Sequence, residues 1–181
     1  ACLVGSEMCI RDRAELAVSE QAELVLLSGD LLDSGNTYFE TGEELVSALG
    51  RIPAPVFIAP GNHDFYSPQS PYARLKMPEN VHVFTDKAIR CAELPALHAR
   101  VYGAAFTENR STPLLSGFHA PREDGILNIL CIHGEVGARD SAYNPITEEE
   151  LAQSGMDYIA LGHIHKASGL KKAGQVWYSW P

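Results

Sequence analysis

Four short apolar runs punctuate the chain, and each breaks off into a polar cluster. ELVLLS runs into Gly29-Asp30, PVFIAP into Gly61-Asn62-His63-Asp64, ILNILCI into His133-Gly134-Glu135, and DYIALG into His163-Ile164-His165. Unbroken apolar stretches of this length predict strands covered on both faces. Helical patterns lie between them. A short one spans Ala14 to Gln21, and Thr41 to Leu49 carries acids early and stops at Gly50 before Pro53 and Pro55. TEEELAQSG opens on Thr147, a helix-capping residue, continues with acids that complement the helix dipole, and closes on Gly155. Strands that alternate with helices in this way predict a layered α/β domain.

The remaining segments read less regularly. SPQSPYARLKMPEN is proline-rich and predicts a surface loop with one helical turn. VHVFT, AIRCAEL and ARVYGAAF predict successive short strands of an antiparallel or mixed edge. Thr107 to Asp124 predicts a long loop, and a second irregular segment follows His133. GLKKAGQVWYSW predicts a hairpin that turns at Ala173 and Gly174.

Composition narrows the class without changing this picture. The chain has 181 residues, 45% of them hydrophobic, which suits one globular domain with a sizeable core. No apolar run approaches the ~18 to 20 residues needed to span a bilayer, so no membrane-spanning helix is expected. A net charge of −9 argues against a broad basic face, although bound cations would reverse the sign inside a pocket of carboxylates and imidazoles. Cys2, Cys9, Cys91 and Cys131 form no metal-type spacing, and Cys131, inside ILNILCI, is expected to be a buried inert thiol. This cysteine usage points to a reducing, cytoplasmic setting. Residues 1–13, ACLVGSEMCIRDR, lack the features of an export signal. They are expected to be a non-native leader of the kind found at the ends of assembled gene fragments. The domain is then expected to run over 14–181 and to be cut at both ends.

The polar clusters carry the chemistry. Strand ends of an α/β sheet converge on one edge, so SGDLLD, GNHD, IHGE and GHIH can meet in one pocket. Imidazole, amide and carboxylate without thiolate suit manganese, iron or zinc better than a calcium-type oxygen cage. Two ions ~3.5 to 4 Å apart need a bridging carboxylate, for which Asp30 is the candidate and Asp33 its nearest rival. Taken singly, Asp30, Asn62 and Asp64 read as turn residues and His133 as a structural histidine. Four such clusters in order at four strand ends favour a metal site with Asp30, Asn62, His133, His163 and His165 as ligands. His82, His98 and His119 sit in ordinary strand or loop contexts without a partner motif.

In combination, GD-x-x-D, GNHD, a lone histidine before glycine, and G-H-x-H resemble the calcineurin-like metallophosphoesterase superfamily, over nearly everything from Ala14 to Pro181. The resemblance implies a four-layer αββα sandwich, two sheets packed between helices, with a dinuclear site at the strand ends. It implies that Asp30 bridges both ions, that Asn62, His133 and His163 hold one, and that His165 holds the other. His63 would face the substrate and protonate the leaving oxygen, with Asp64 orienting its ring. One departure stands out: the family opens with a strand ending in D-x-H, which completes the metal site that His165 serves. Residues 1–29 contain no D-x-H. The fragment is therefore expected to lack its first strand and to be inactive by itself.

Within the superfamily, YNPITEEELAQSGMDYIALGHIHKAS and VYGAAF are similar to the SbcD-type DNA repair exonucleases, including their YhaO-like bacterial branch. That implies in-line hydrolysis of a phosphodiester by water activated at two divalent ions, manganese in first place. It also implies DNA as substrate, an SbcC-like ATPase partner and a homodimer. A small-molecule phosphatase or nucleotide phosphodiesterase could use the same centre, and a scaffold subunit that has lost its metals is the non-enzymatic alternative.

Overall fold

Two sheets face one another, and helices cover their outer sides. The computed structural model describes residues 6–32, 38–164 and 169–180, so Cys2, Asp33 and His165 lie outside the described residues. The first sheet is wholly parallel, in the order β1 (Val25–Leu27), β2 (Val56–Ile58), β3 (Val81–Val83). The second has six strands in the order β10 (Lys171–Ala173), β11 (Val176–Ser179), β9 (Tyr158–Gly162), β6 (Leu127–His133), β5 (Ala99–Gly103), β4 (Arg90–Leu94). Its four inner strands are parallel, and an antiparallel strand closes each side.

Side-chain alternation explains the layering. Val25, Leu27, Val56 and Ile58 pack against Ala14 of helix α1 (Ser6–Ser19) and Leu45, Ala48 and Leu49 of helix α2 (Tyr38–Leu49). Their neighbours Leu26 and Phe57 face the second sheet and meet Phe84, Val101 and Cys131. On its far side that sheet presents Leu130, Ile132, Ile159 and Tyr178 to Leu151 of helix α4 (Glu148–Gln153) and to Leu115, Met156 and Trp180. The result is the expected αββα sandwich.

Local chemistry fixes the helix ends. The Asn80 side-chain amide donates to the carbonyls of Leu49, Ile52 and Ala54, so the C-terminal carbonyls of α2 have a partner. Thr147 and Glu150 form a reciprocal capping box at the start of α4. The proline-rich loop contains one helical turn, α3 (Pro71–Arg74), as expected.

The structure departs from the sequence expectations in several places. α1 starts at Ser6, inside the segment read as a leader, instead of at Ala14. VHVFT, expected to form an antiparallel or mixed edge with its two successors, lies in the other sheet: β3 pairs parallel with β2, and β4 and β5 form the antiparallel edge. The segment after His133, expected to be irregular, contains two two-residue strands, β7 (Glu135–Val136) and β8 (Pro145–Ile146), paired in parallel. The last hairpin turns one residue later, because Ala173 still pairs with Val176.

Cys131 is fully buried between the sheets, and burial pushes its thiol up to about 11. A buried, protonated thiol is a poor nucleophile. Iodoacetamide at neutral pH should therefore label exposed Cys91 in the native protein and reach Cys131 only after denaturation, as read by mass spectrometry of the peptides. Equal labelling of both under native conditions would contradict this packing.

Candidate metal centre

The first three strand ends are held around the buried Asp64 carboxylate and the buried His133 imidazole. After β1 the backbone passes through Gly29 (φ 86°) and Asp30 (φ 54°), a left-handed corner that aspartate tolerates better than most residues. Asp64 accepts hydrogen bonds from the amides of Asp30 (3.0 Å), Leu31 (2.8 Å) and Gly61 (2.7 Å) and from the Tyr72 hydroxyl (2.5 Å). Burial raises its pKa, while the Tyr72 hydroxyl and the amides act in the opposite direction. The task seen for Asp64 is to tie the corner after β1 to the corner after β2. Neither it nor Tyr72 lies on the open face.

Glycine precedes three of the motifs because backbone passes directly over the His133 ring. A Cβ on Gly61 would fall 2.5 Å from Asp30 Oδ1 and 2.7 Å from His133 Nδ1. On Gly162 it would fall 1.7 Å from the Ser28 carbonyl and 2.6 Å from His133 Nδ1. No side chain larger than hydrogen fits there without displacing the site.

His133 ends β6 and is completely buried. Its Nδ1 lies 2.8 Å from the Ser28 carbonyl, which can only accept, so Nδ1 carries a proton and Nε2 is the nitrogen that a neutral ring would offer to an ion. That Nε2 lies 2.9 Å from Asn62 Oδ1 and 3.4 Å from Asp30 Oδ2. His163, at φ 85° just past β9, places its Nδ1 3.2 Å from the same Asn62 oxygen. Asp30 Oδ2 is buried without a hydrogen-bond partner. Asp30, His133 and His163 bring their ligand atoms within 4.8 Å of one another.

Four potential ligand atoms thus face a common point, and among them Asp30 Oδ2 is buried with no hydrogen-bond partner. An orphaned buried carboxylate oxygen costs free energy. A divalent cation would satisfy it, and a mixed oxygen and imidazole set suits manganese, iron or zinc. The residues present therefore fit an ion held by Asp30, Asn62, His133 and His163. His63 is exposed beside Asn62, and its backbone amide donates to Asp30 Oδ1 at 3.0 Å. His165 lies outside the described residues. His82 packs between Phe57 and Phe84, and His119 Nδ1 lies 2.5 Å from the Gln153 carbonyl, both remote from this cluster.

Sequence reasoning passed over two neighbours of His163: Glu135, whose Oε2 lies 3.9 Å from His163 Nε2, and Tyr143, whose ring centroid lies 4.9 Å from the imidazole. Glu135 was visible in the IHGE cluster; Tyr143 carries no motif.

The sandwich, with its strand-end cluster of imidazole, amide and carboxylate, is that of a metallophosphoesterase, and residues 9–167 match the calcineurin-like phosphoesterase model; the chain belongs to that family. It is 31% identical over 170 residues to the metallophosphoesterase YhaO of Bacillus subtilis (strain 168), covering 87% of this chain and 40% of that protein. The chain thus spans about two fifths of that relative's length. The crystal structure of TT1561 of Thermus thermophilus shares the fold, with a TM-score of 0.65 and 14% identity over 98% of this chain and 84% of that one. Divalent-metal-dependent hydrolysis of phosphoesters is the chemistry of the family. No helix among the described residues is long and apolar enough to cross a membrane.

Proposed function

We propose that this chain is the catalytic part of a phosphodiesterase that uses two divalent ions, manganese in first place, and acts on DNA as a repair exonuclease subunit. The observation that carries the metal-dependent part is the convergence of Asp30 Oδ2, Asn62 Oδ1, His133 Nε2 and His163 Nδ1 at short range. DNA as substrate, an SbcC-like ATPase partner, a homodimer and a cytoplasmic location rest on the SbcD-like motifs and belong to the same proposal.

Divalent ions held at this cluster would neutralise charge on the phosphate oxygens and acidify the attacking water. The chain's own residues supply the rest. Asp30 would serve both ions, Asn62, His133 and His163 would hold one of them, and His165 would contribute to the other. His63, on the exposed side of Asn62, protonates the leaving oxygen as a general acid. Asp64 and Tyr72 hold the two corners in register so that Asp30 and Asn62 keep their aim.

The chain should bind manganese and hydrolyse DNA, and Asp30→Ala should lose both the metal and the activity. Elemental analysis of the purified proteins and a nuclease assay of the same preparations check this. DNA hydrolysis that survives Asp30→Ala would overturn the metal-dependent reading.

One observation favours the small-molecule alternative: the chain is acidic, with 23 acids against 14 Lys and Arg. A duplex or single-strand reader normally neutralises several phosphates and loses affinity steeply with salt. Hydrolysis of bis-p-nitrophenyl phosphate without any salt-sensitive DNA cleavage would favour that reading over the exonuclease.

A further inference from the structure

His163 occupies a backbone conformation that side chains normally avoid. At φ 85° it is strained, and such residues persist only where the surroundings over-determine them. Gly162, just before it, is pressed against the Ser28 carbonyl, so the backbone has no freedom to relax from that side. The imidazole is then held on three further sides. The His133 ring meets it edge-on at 5.2 Å, Tyr143 lies over it at 4.9 Å with 31° between the planes, and Glu135 approaches Nε2.

The two nitrogens of His163 have distinct surroundings. Nδ1 points at the Asn62 oxygen that it shares with His133, whereas Nε2 lies 3.9 Å from Glu135 Oε2. A metal-bound histidine generally directs its other ring N–H to a carboxylate or carbonyl, which fixes its tautomer and strengthens it as a ligand. His133 meets this need through the Ser28 carbonyl. For His163 the group in the corresponding place is Glu135.

A small buckle positions both neighbours. Glu135 pairs with Pro145 and Val136 with Ile146, which closes the loop that carries Tyr143. At its neck, buried Asn144 (φ 50°) donates from Nδ2 to the His133 carbonyl at 2.7 Å and accepts from the Leu114 amide at 2.7 Å. The Ser111 amide donates to the Ala142 carbonyl at 2.9 Å, and the Asn144 amide donates to the Ser111 carbonyl at 3.0 Å. The loop is therefore braced by the segment around 111–114 and joined to the end of β6.

We propose that Glu135 and Tyr143 are positioning residues for His163: the charge of the Glu135 carboxylate, 3.9 Å away, favours the proton on Nε2, and Tyr143 holds the plane of the ring, so that Nδ1 is kept as a metal ligand. This rests on the metal-centre reading above. The test uses manganese as the probe, titrated calorimetrically into the chain and its variants, together with imidazole nitrogen NMR of the metal-free proteins. Glu135→Gln should raise the manganese Kd about 10- to 100-fold and move His163 away from the Nε2–H tautomer. Tyr143→Ala should raise the Kd similarly, whereas Tyr143→Phe, which keeps the ring, should restore it to within about threefold of the starting value. Metal-free thermal melts of Glu135→Gln and Tyr143→Phe should match that of the unaltered chain, since neither substitution removes packing. Unchanged manganese affinity and an unchanged His163 tautomer in Glu135→Gln and Tyr143→Ala, with the unaltered chain binding far better than Asp30→Ala, would overturn the positioning role alone. If the unaltered chain bound no better than Asp30→Ala, the metal centre itself would fall and the positioning role with it.

Discussion

His63→Ala lowers phosphodiester hydrolysis by a factor on the order of 10² to 10⁴ while leaving bound metal nearly unchanged; this is the result expected from the loss of a general acid. The ligand atoms that converge belong to Asp30, Asn62, His133 and His163, and the His63 backbone amide is bonded to Asp30 Oδ1. Its exposed position beside Asn62 suits a side chain that meets substrate. The measurement pairs a hydrolysis rate with elemental analysis of the same preparation. Loss of metal along with activity would move His63 into the ligand set. An activated leaving group, p-nitrophenolate for example, should be affected less than a deoxyribose alkoxide, because it needs less protonation on departure.

Gly162→Ala should destabilise the native state by about 3 kcal/mol or more, beyond the usual cost of overpacking. The added carbon would sit 1.7 Å from the Ser28 carbonyl and 2.6 Å from His133 Nδ1. Neither can yield cheaply. Ser28 and His133 are bonded to each other, and the corner that follows Ser28 is bound to Asp64. For a chain of this size that loss corresponds to a drop in Tm on the order of 10 °C. Gly50→Ala is the matched control: its added carbon would find nothing nearer than 3.4 Å, and its Tm should stay within a few degrees. Equal melting temperatures for the two variants would show that the backbone crossing at His133 is looser than described.

Much of this site was legible in the sequence because its information is local. An apolar run followed by glycine and a metal-type side chain marks a buried strand end, and strand ends of a layered sheet converge whatever the intervening chain does. Thr147 and Glu150 likewise announced the α4 cap with their spacing alone. What was illegible depends on partners far away in the chain. VHVFT reads as a strand, but nothing in it says that Val81 pairs with Val56 and not with the strands that follow. Asp64 looks like part of a catalytic cluster, yet it accepts from amides 33 and 34 residues back, a link that only the folded corners create. Glu135 and Tyr143 belong to His163 by virtue of a two-residue parallel pairing too short to leave any periodic trace.

The spread of the four donors along the chain sets the order of events during folding. Asp30 and His163 lie near opposite ends of the described sequence, and the strands that carry the donors are joined by long crossovers, a topology whose contacts are non-local and therefore slow to form. The four atoms come together once both sheets are assembled, so the ion would be a partner of the finished structure. Its contribution is then one of mass action: a thousandfold excess over Kd adds about 4 kcal/mol to the native state and nothing to the unfolded one. For a centre assembled this way, the stability of the fold would rise with the concentration of the free ion.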